Sequence, residues 1–99
     1  MARFDVYRAQ GVDGLLLDCQ ANFLSHFATR FVVPLLPEHA VPLAMPRLHP
    51  KFVVDETTLI MATHLATAVP ARELRTRVTS LSDSHKTITS ALDMLTLGF

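Results

Sequence analysis

Leu81-Ser82-Asp83-Ser84-His85-Lys86-Thr87-Ile88-Thr89-Ser90-Ala91-Leu92-Asp93-Met94-Leu95-Thr96-Leu97-Gly98-Phe99 decides how this chain is read, because it is the only segment with a clear helical period. Ile88, Leu92, Leu95 and Phe99 recur at spacings of four, three and four, which draws one apolar stripe along a helix. Lys86, Thr89, Ser90 and Asp93 make the neighbouring face polar enough to stand in water. Ser82 or Asp83 can cap the amino end by accepting from the first free amides, and Asp83 also suits the positive end of the helix dipole. Gly98 sits where a left-handed residue commonly ends a helix. The reading is an amphipathic helix laid on a core, with Leu97, Gly98 and Phe99 placed either to seal the core edge or to form a contact surface.

Everything before that helix reads as strands and prolines. Arg3 to Arg8 alternates, with Phe4 and Val6 opposite Arg3, Asp5 and Tyr7, as a half-buried strand does. Gln10 to Gly14 holds two glycines and an aspartate and predicts a reversal. Leu15 to Cys19 is the partner strand, with Leu15, Leu17 and Cys19 on one face. Leu16 and Asp18 lie on the other, so Asp18 is expected at an exposed face, a sheet edge or a polar interface. Gln20 to Thr29 has no clean period but carries Phe23, Leu24 and Phe27, which either fold back under the loop or face a partner. Arg30 to Leu36 is the strongest strand. Pro34 interrupts it and cannot donate to a ladder, which predicts an edge or a bulge, and an edge invites pairing with a second copy of the chain.

Five prolines at positions 34, 37, 42, 46 and 50 forbid a long helix there. Leu35, Leu36, Val41, Leu43, Met45 and Leu48 make the same region too apolar for a disordered linker, so an ordered loop over the sheet is expected. Phe52 to Val54 and Leu59 to Thr63 form a hairpin about Asp55, Glu56 and Thr57. Pro70 to Val78 fits one helical turn or a returning strand. The expected architecture is mainly β, about five strands and one carboxy-terminal helix, in a single domain over residues 1–99.

Composition narrows function. Nine Lys plus Arg balance nine Asp plus Glu, which leaves no net field to steer the protein onto nucleic acid or an acidic membrane. No apolar run approaches the roughly 20 residues of a membrane span, and the amino terminus does not read as a signal peptide, so a cytoplasmic location is expected. Cys19, the one cysteine, is read as a buried, inert thiol in an apolar strand. His26, His39, His49, His64 and His85 are never two to five residues apart, so no zinc spacing exists and no metal site is expected. Ser82, Asp83, Ser84 and His85 hold the residue types of a nucleophile triad, yet capping explains the same letters. Gly11, Gly14 and Gly98 fit no phosphate-cradling loop. Arg72, Arg75 and Arg77 enclose Glu73 and read as a solvated face. No cofactor and no catalytic constellation is visible.

The order of pieces resembles the CcdB toxin family. The resemblance is carried by Arg3-Phe4-Asp5-Val6-Tyr7, Leu17-Asp18-Cys19-Gln20, Arg30-Phe31-Val32-Val33-Pro34-Leu35, Met61-Ala62-Thr63, Val69-Pro70, and Ala91-Leu92 through Gly98-Phe99. It covers nearly the whole chain. The resemblance implies an SH3-like small barrel of the CcdB, MazF and Kid type plus a carboxy-terminal helix, and a homodimer. It also implies the toxin half of a type II toxin-antitoxin module, one that is not an enzyme. Such toxins bind the A subunit of DNA gyrase, trap its cleaved DNA complex without direct nucleic-acid contact, and are neutralised by a CcdA-like antitoxin with a partly disordered tail.

The family's plasmid-borne toxin ends in Trp-Gly-Ile, and its Trp reaches into the gyrase cavity. The matching positions here are Leu97, Gly98 and Phe99, with Asp93 in place of an Asn, and Phe23 and Leu24 in place of two isoleucines that help the gyrase contact. These six residues are the expected gyrase face, and Asp18 with the apolar loops is the expected antitoxin side. Leucine at position 97 lacks the flat aromatic surface that makes Trp a frequent hot spot. An alternative of another class is a ribonuclease like the related MazF and Kid toxins, for which Arg30, Arg72, Arg75 and His85 are the candidate groups. A third is a gyrase-inactive relative that only binds antitoxin.

Overall fold

The computed structural model describes residues 2–9 and 14–99. Among these, seven strands and one helix follow in the order β1 (Asp5–Arg8), β2 (Leu15–Asp18), β3 (Thr29–Pro37), β4 (Lys51–Val54), β5 (Thr57–Met61), β6 (Thr67–Pro70), β7 (Thr76–Ser80) and α1 (His85–Leu97). The strands form one antiparallel sheet in the order β4-β5-β3-β2-β1-β7, and β6 pairs with β3 beside that path. The sheet curls into a half-barrel with the helix packed on one of its faces, an SH3-like barrel with a carboxy-terminal helix. Two strands more than expected come from β6 and β7, whose sequences Thr-Ala-Val-Pro and Thr-Arg-Val-Thr-Ser have little apolar alternation.

Strand β3 is central, not an edge. Its Leu35, Leu36 and Pro37 pair with β5, while Thr29 to Val32 pair with β6. Pro34 falls between those two runs, opposite Leu16 of β2. Its carbonyl accepts from the Ala62 amide at 2.8 Å, so its ring nitrogen faces the same junction, where the neighbouring strand changes and no ladder bond is missed. The expected proline edge therefore does not exist, and the argument for a second copy pairing there fails with it.

The β4–β5 hairpin turns through Asp55 and Glu56, both at positive φ (50° and 65°), as a two-residue turn between twisted strands requires. The Gln10 to Gly14 reversal lies mostly outside the described residues. Gly14 itself has φ 142°, and a Cβ there would meet the Leu35 carbonyl. The proline-rich stretch contains one short 3-10 turn, Glu38–Ala40, and buries Val41 beneath the loop.

Helix α1 buries Ile88 and Ala91 against Val6, Leu17, Val33 and Met61 of the main core, with Leu92 partly buried beside them. The apolar stripe is shorter than its period implied: Leu95 and Phe99 are exposed. Neither Ser82 nor Asp83 caps the helix. A 3-10 turn, Ser82–Ser84, leads straight into it, and no side chain bonds its first amides. The carboxy end is as read: Gly98 is left-handed at φ 83°, and its amide donates to the Met94 carbonyl at 3.1 Å. No helix of the described residues is long and apolar enough to cross a membrane.

Candidate functional site

Beyond the Gly98 cap the chain leaves the core. Leu97 is 58% and Phe99 74% exposed, while Asp93, one turn earlier, is half-buried. Phe99 thus does not seal the core edge. At the other candidate element, a 3-10 turn over Asn22–Leu24 holds Phe23 outward at 81% exposure and leaves Leu24 half-buried. Local bonds fix this turn. Asn22 Oδ1 accepts from the Arg3 amide at 2.7 Å, and Gln20 donates Nε2 to the Leu24 carbonyl at 2.8 Å while its Oε1 accepts from the Phe31 amide at 2.9 Å. Phe27, exposed and 4.4 Å from the His26 ring, and exposed Phe31 continue the apolar surface. Phe23 and Phe27 of this loop are therefore presented outward, while Leu24 is partly folded under. The two candidate surfaces sit on separate elements, and no hydrogen bond joins them among the described residues.

Asp18 does not reach the surface. It is fully buried and accepts from Arg30 Nε at 3.0 Å and from Arg30 Nη2, with Arg30 buried as completely. Its other oxygen accepts from the Gln20 amide at 3.1 Å, so it anchors the start of the Phe23 loop from below. Arg30 is likewise withdrawn from any RNA surface, and its Nη1 has no partner. The pair belongs to a polar seam beside Tyr7, Leu16, Val32 and Leu74 on the face of the sheet opposite the main core. There the Tyr7 hydroxyl donates to Asp5 at 3.4 Å, and Arg77 Nε reaches the same carboxylate at 3.2 Å. Burial first, then the Asp5 and Asp18 carboxylates, push the Tyr7 hydroxyl above its usual range, so it stays a donor. Arg72, Arg75 and His85 are exposed but lie on different elements, the first two between β6 and β7 and the last at the start of α1.

One constellation escaped the sequence reading. His49 Nε2 and His64 Nδ1 are 2.9 Å apart, with the rings edge to face at 89°. Fifteen residues separate them, and only the packing of the 41–50 loop on the Thr63–Leu65 turn brings them together. The tautomers follow from one more bond: the Met45 amide donates to His49 Nδ1 at 2.9 Å. Nδ1 is therefore unprotonated, Nε2 carries the hydrogen, and it is donated to His64 Nδ1. His64 then carries its own hydrogen on Nε2, at an exposed ring. A metal ion between the rings would need the lone pair that His49 Nε2 does not have, and the described residues hold no group of three metal-ligating side chains. The pair borders an open, mostly apolar cleft of about 290 Å³ lined by Ala40, Val41, Pro42 and Leu43.

Cys19 is buried, and burial first, then Asp18, push its thiol up to about 12 against a smaller opposing pull from Arg3. It is an inert packing residue, as the sequence suggested.

The same curled sheet with a terminal helix occurs in solved structures. An endoribonuclease in complex with its cognate antitoxin, from a mycobacterial species, superposes with a TM-score of 0.79 at 18% identity, covering 100% of this chain and 96% of that one. A second mycobacterial endoribonuclease gives a TM-score of 0.77 at 18% identity, covering 100% and 92%. No curated protein matches the sequence. Residues 3–98 match the family described as CcdB protein, and the chain belongs to that family of toxins of toxin-antitoxin modules.

The neighbours overturn one expectation. The resemblance to the CcdB family implied a toxin that is not an enzyme, yet two proteins that share this fold over nearly their whole length are endoribonucleases, so that expectation does not stand.

Proposed function

We propose that this toxin acts on the A subunit of DNA gyrase, using Leu97, Gly98 and Phe99 as its leading contact, with Asp93, Phe23 and Leu24 in support. The observation that carries the reading is the exposure of Leu97 and Phe99 at the carboxy end of α1. Two large apolar side chains stand in solvent immediately around a left-handed cap, where burial would reward them only in a complex. Phe99 supplies the aromatic surface that Leu97 does not. The toxin works as a homodimer, which would present two such ends to a two-fold target. A CcdA-like antitoxin segment covers the loop anchored on Asp18, where Phe23, Phe27 and Phe31 are exposed. Asp18 contributes through the loop it holds and not by direct contact. The deciding experiment is a gyrase supercoiling and cleavage assay comparing the full chain with one truncated before Leu97. Cleaved DNA that accumulates with the first and not with the second supports the reading; no effect from either removes it.

A second reading is RNA cleavage. It is favoured by the end-to-end likeness to two endoribonucleases and by His64, whose exposed Nε2–H can donate to a phosphate oxygen. Incubation with single-stranded RNA, with the full chain against His64→Ala, separates it from the first.

A further inference from the structure

The 41–50 loop is fastened to the rest of the molecule by few polar contacts. Arg47 Nε donates to Ser90 Oγ of α1 at 3.0 Å. The His49 amide donates back to the Met45 carbonyl at 2.7 Å, which, with the Met45 amide on His49 Nδ1, closes the loop on itself. Backbone bonds hold the two ends of the loop, Val41 N–H to the Glu38 carbonyl at 3.1 Å and the Met61 amide to the Pro50 carbonyl at 2.9 Å, and between them the other side-chain tie is the bond from His49 Nε2–H to His64 Nδ1. Both acceptor nitrogens along that chain, His49 Nδ1 and His64 Nδ1, are filled. A proton added to His49 has only Nδ1 to go to, where it would meet the Met45 N–H head-on. A proton added to His64 has only Nδ1, where it would meet the His49 N–H.

We propose that the His49–His64 bond is a proton-sensitive latch, which ties the 41–50 loop to the Thr63–Leu65 turn while both rings are neutral and releases it when either is protonated. Release would widen the apolar cleft beside Val41 and Leu43 and leave Arg47–Ser90 as the loop's remaining tie to the helix.

The surroundings do not offset a charge at this point. Lys51 at the start of β4 pairs with Glu38 of the preceding turn at 3.7 Å, and Arg47 is turned to Ser90. His39 on that turn and His85, Lys86 and Asp93 on α1 make no hydrogen bond or ion pair with either ring. Burial of His49, 7% exposed, and then the nearness of His64 lower its affinity for a proton. The latch is therefore closed at neutral pH and opens on the acid side, and it is independent of which target the toxin acts on.

Imidazole and amide NMR on the full chain, labelled with ¹⁵N, tests this directly. At pH 8 both histidines are expected as Nε2–H tautomers. Between pH 8 and 5 the amides of residues 41–50 and 63–65 should shift together with the His49 ring, and Met45 amide protection, corrected for intrinsic exchange, should fall about tenfold, the scale of one hydrogen bond. His64→Ala should show the open-loop shifts already at pH 8, whereas His64→Gln, which keeps an acceptor, should stay closed there. An Nδ1–H tautomer at His49, or loop amides that stay fixed as the rings titrate, would overturn the proposal.

Discussion

Asp18 and Arg30 form an ion pair in which neither side chain is exposed: Arg30 donates both Nε and Nη2 to one carboxylate oxygen, Oδ2. Two desolvated charges hold each other only while both are present. Arg30→Met alone leaves a buried carboxylate without its cation and should cost about 3–5 kcal/mol in urea unfolding. Arg30→Met combined with Asp18→Leu should recover most of that loss, because the apolar pair no longer has to be desolvated. A single variant within about 1 kcal/mol of the parent would show that the pair does not brace this face.

That pair also shows where the sequence stops being legible. The alternation of Leu15 to Cys19 places Asp18 opposite the main core correctly, but it cannot show that a second, smaller core covers that face. Arg30, the partner, stands 12 residues away on β3. The helix, the hairpin at Asp55 and the left-handed Gly98 were readable because each depends on neighbours within one turn or two. Pro34 misled because a proline excludes a donor but does not say that the adjacent strand is interrupted. The His49–His64 contact depends on how a proline-rich loop settles, and no periodicity encodes that.

The helix stripe divides sharply between buried and free positions. Ile88 is fully buried, so Ile88→Ala should cost about 2–5 kcal/mol by creating a cavity beneath α1. Leu95, which the period placed on the same stripe, is exposed, and Leu95→Ala should stay within about 0.5 kcal/mol. Denaturant midpoints for the two variants measure this directly. Equal losses would mean that the whole stripe is buried in solution, as a second copy seated on Leu95 would make it.

Cys19 should be nearly silent to thiol reagents in the folded protein. With its pKa at about 12, roughly one molecule in ten thousand carries a thiolate at pH 8. Labelling with a chromogenic disulfide should therefore be about a thousandfold slower than for an ordinary cysteine and become fast only in denaturant. Rapid labelling without denaturant would place the thiol at the surface.

Stability should fall on the acid side of neutrality through His49. Its folded affinity for a proton is lowered, so below about pH 6.5 the unfolded chain takes up the proton first. The histidine's contribution is complete above that pH and is lost as pH falls towards the lower, folded value. Urea unfolding at pH 7.5, 6.5 and 5.5 should show the decline, and His49→Gln, which cannot titrate, should flatten it. A decline of equal slope in both proteins would assign it to the carboxylates instead.

Leu97→Trp is expected to strengthen whatever gyrase contact the terminus makes. The residue is exposed one position before the left-handed Gly98, so a larger ring can be carried there without entering the core. A well-placed aromatic anchor contributes about 2 kcal/mol, or roughly thirtyfold in affinity. Folding stability should be unchanged within about 0.5 kcal/mol, because nothing in the barrel touches the added surface. Titration against the isolated gyrase A subunit, comparing the parent, Leu97→Trp and Phe99→Ala, therefore reads binding apart from stability. Tighter binding by the first variant and loss by the second would place the contact on these two side chains. Three identical curves would move the partner surface elsewhere, first to Phe23 and the loop held by Asp18.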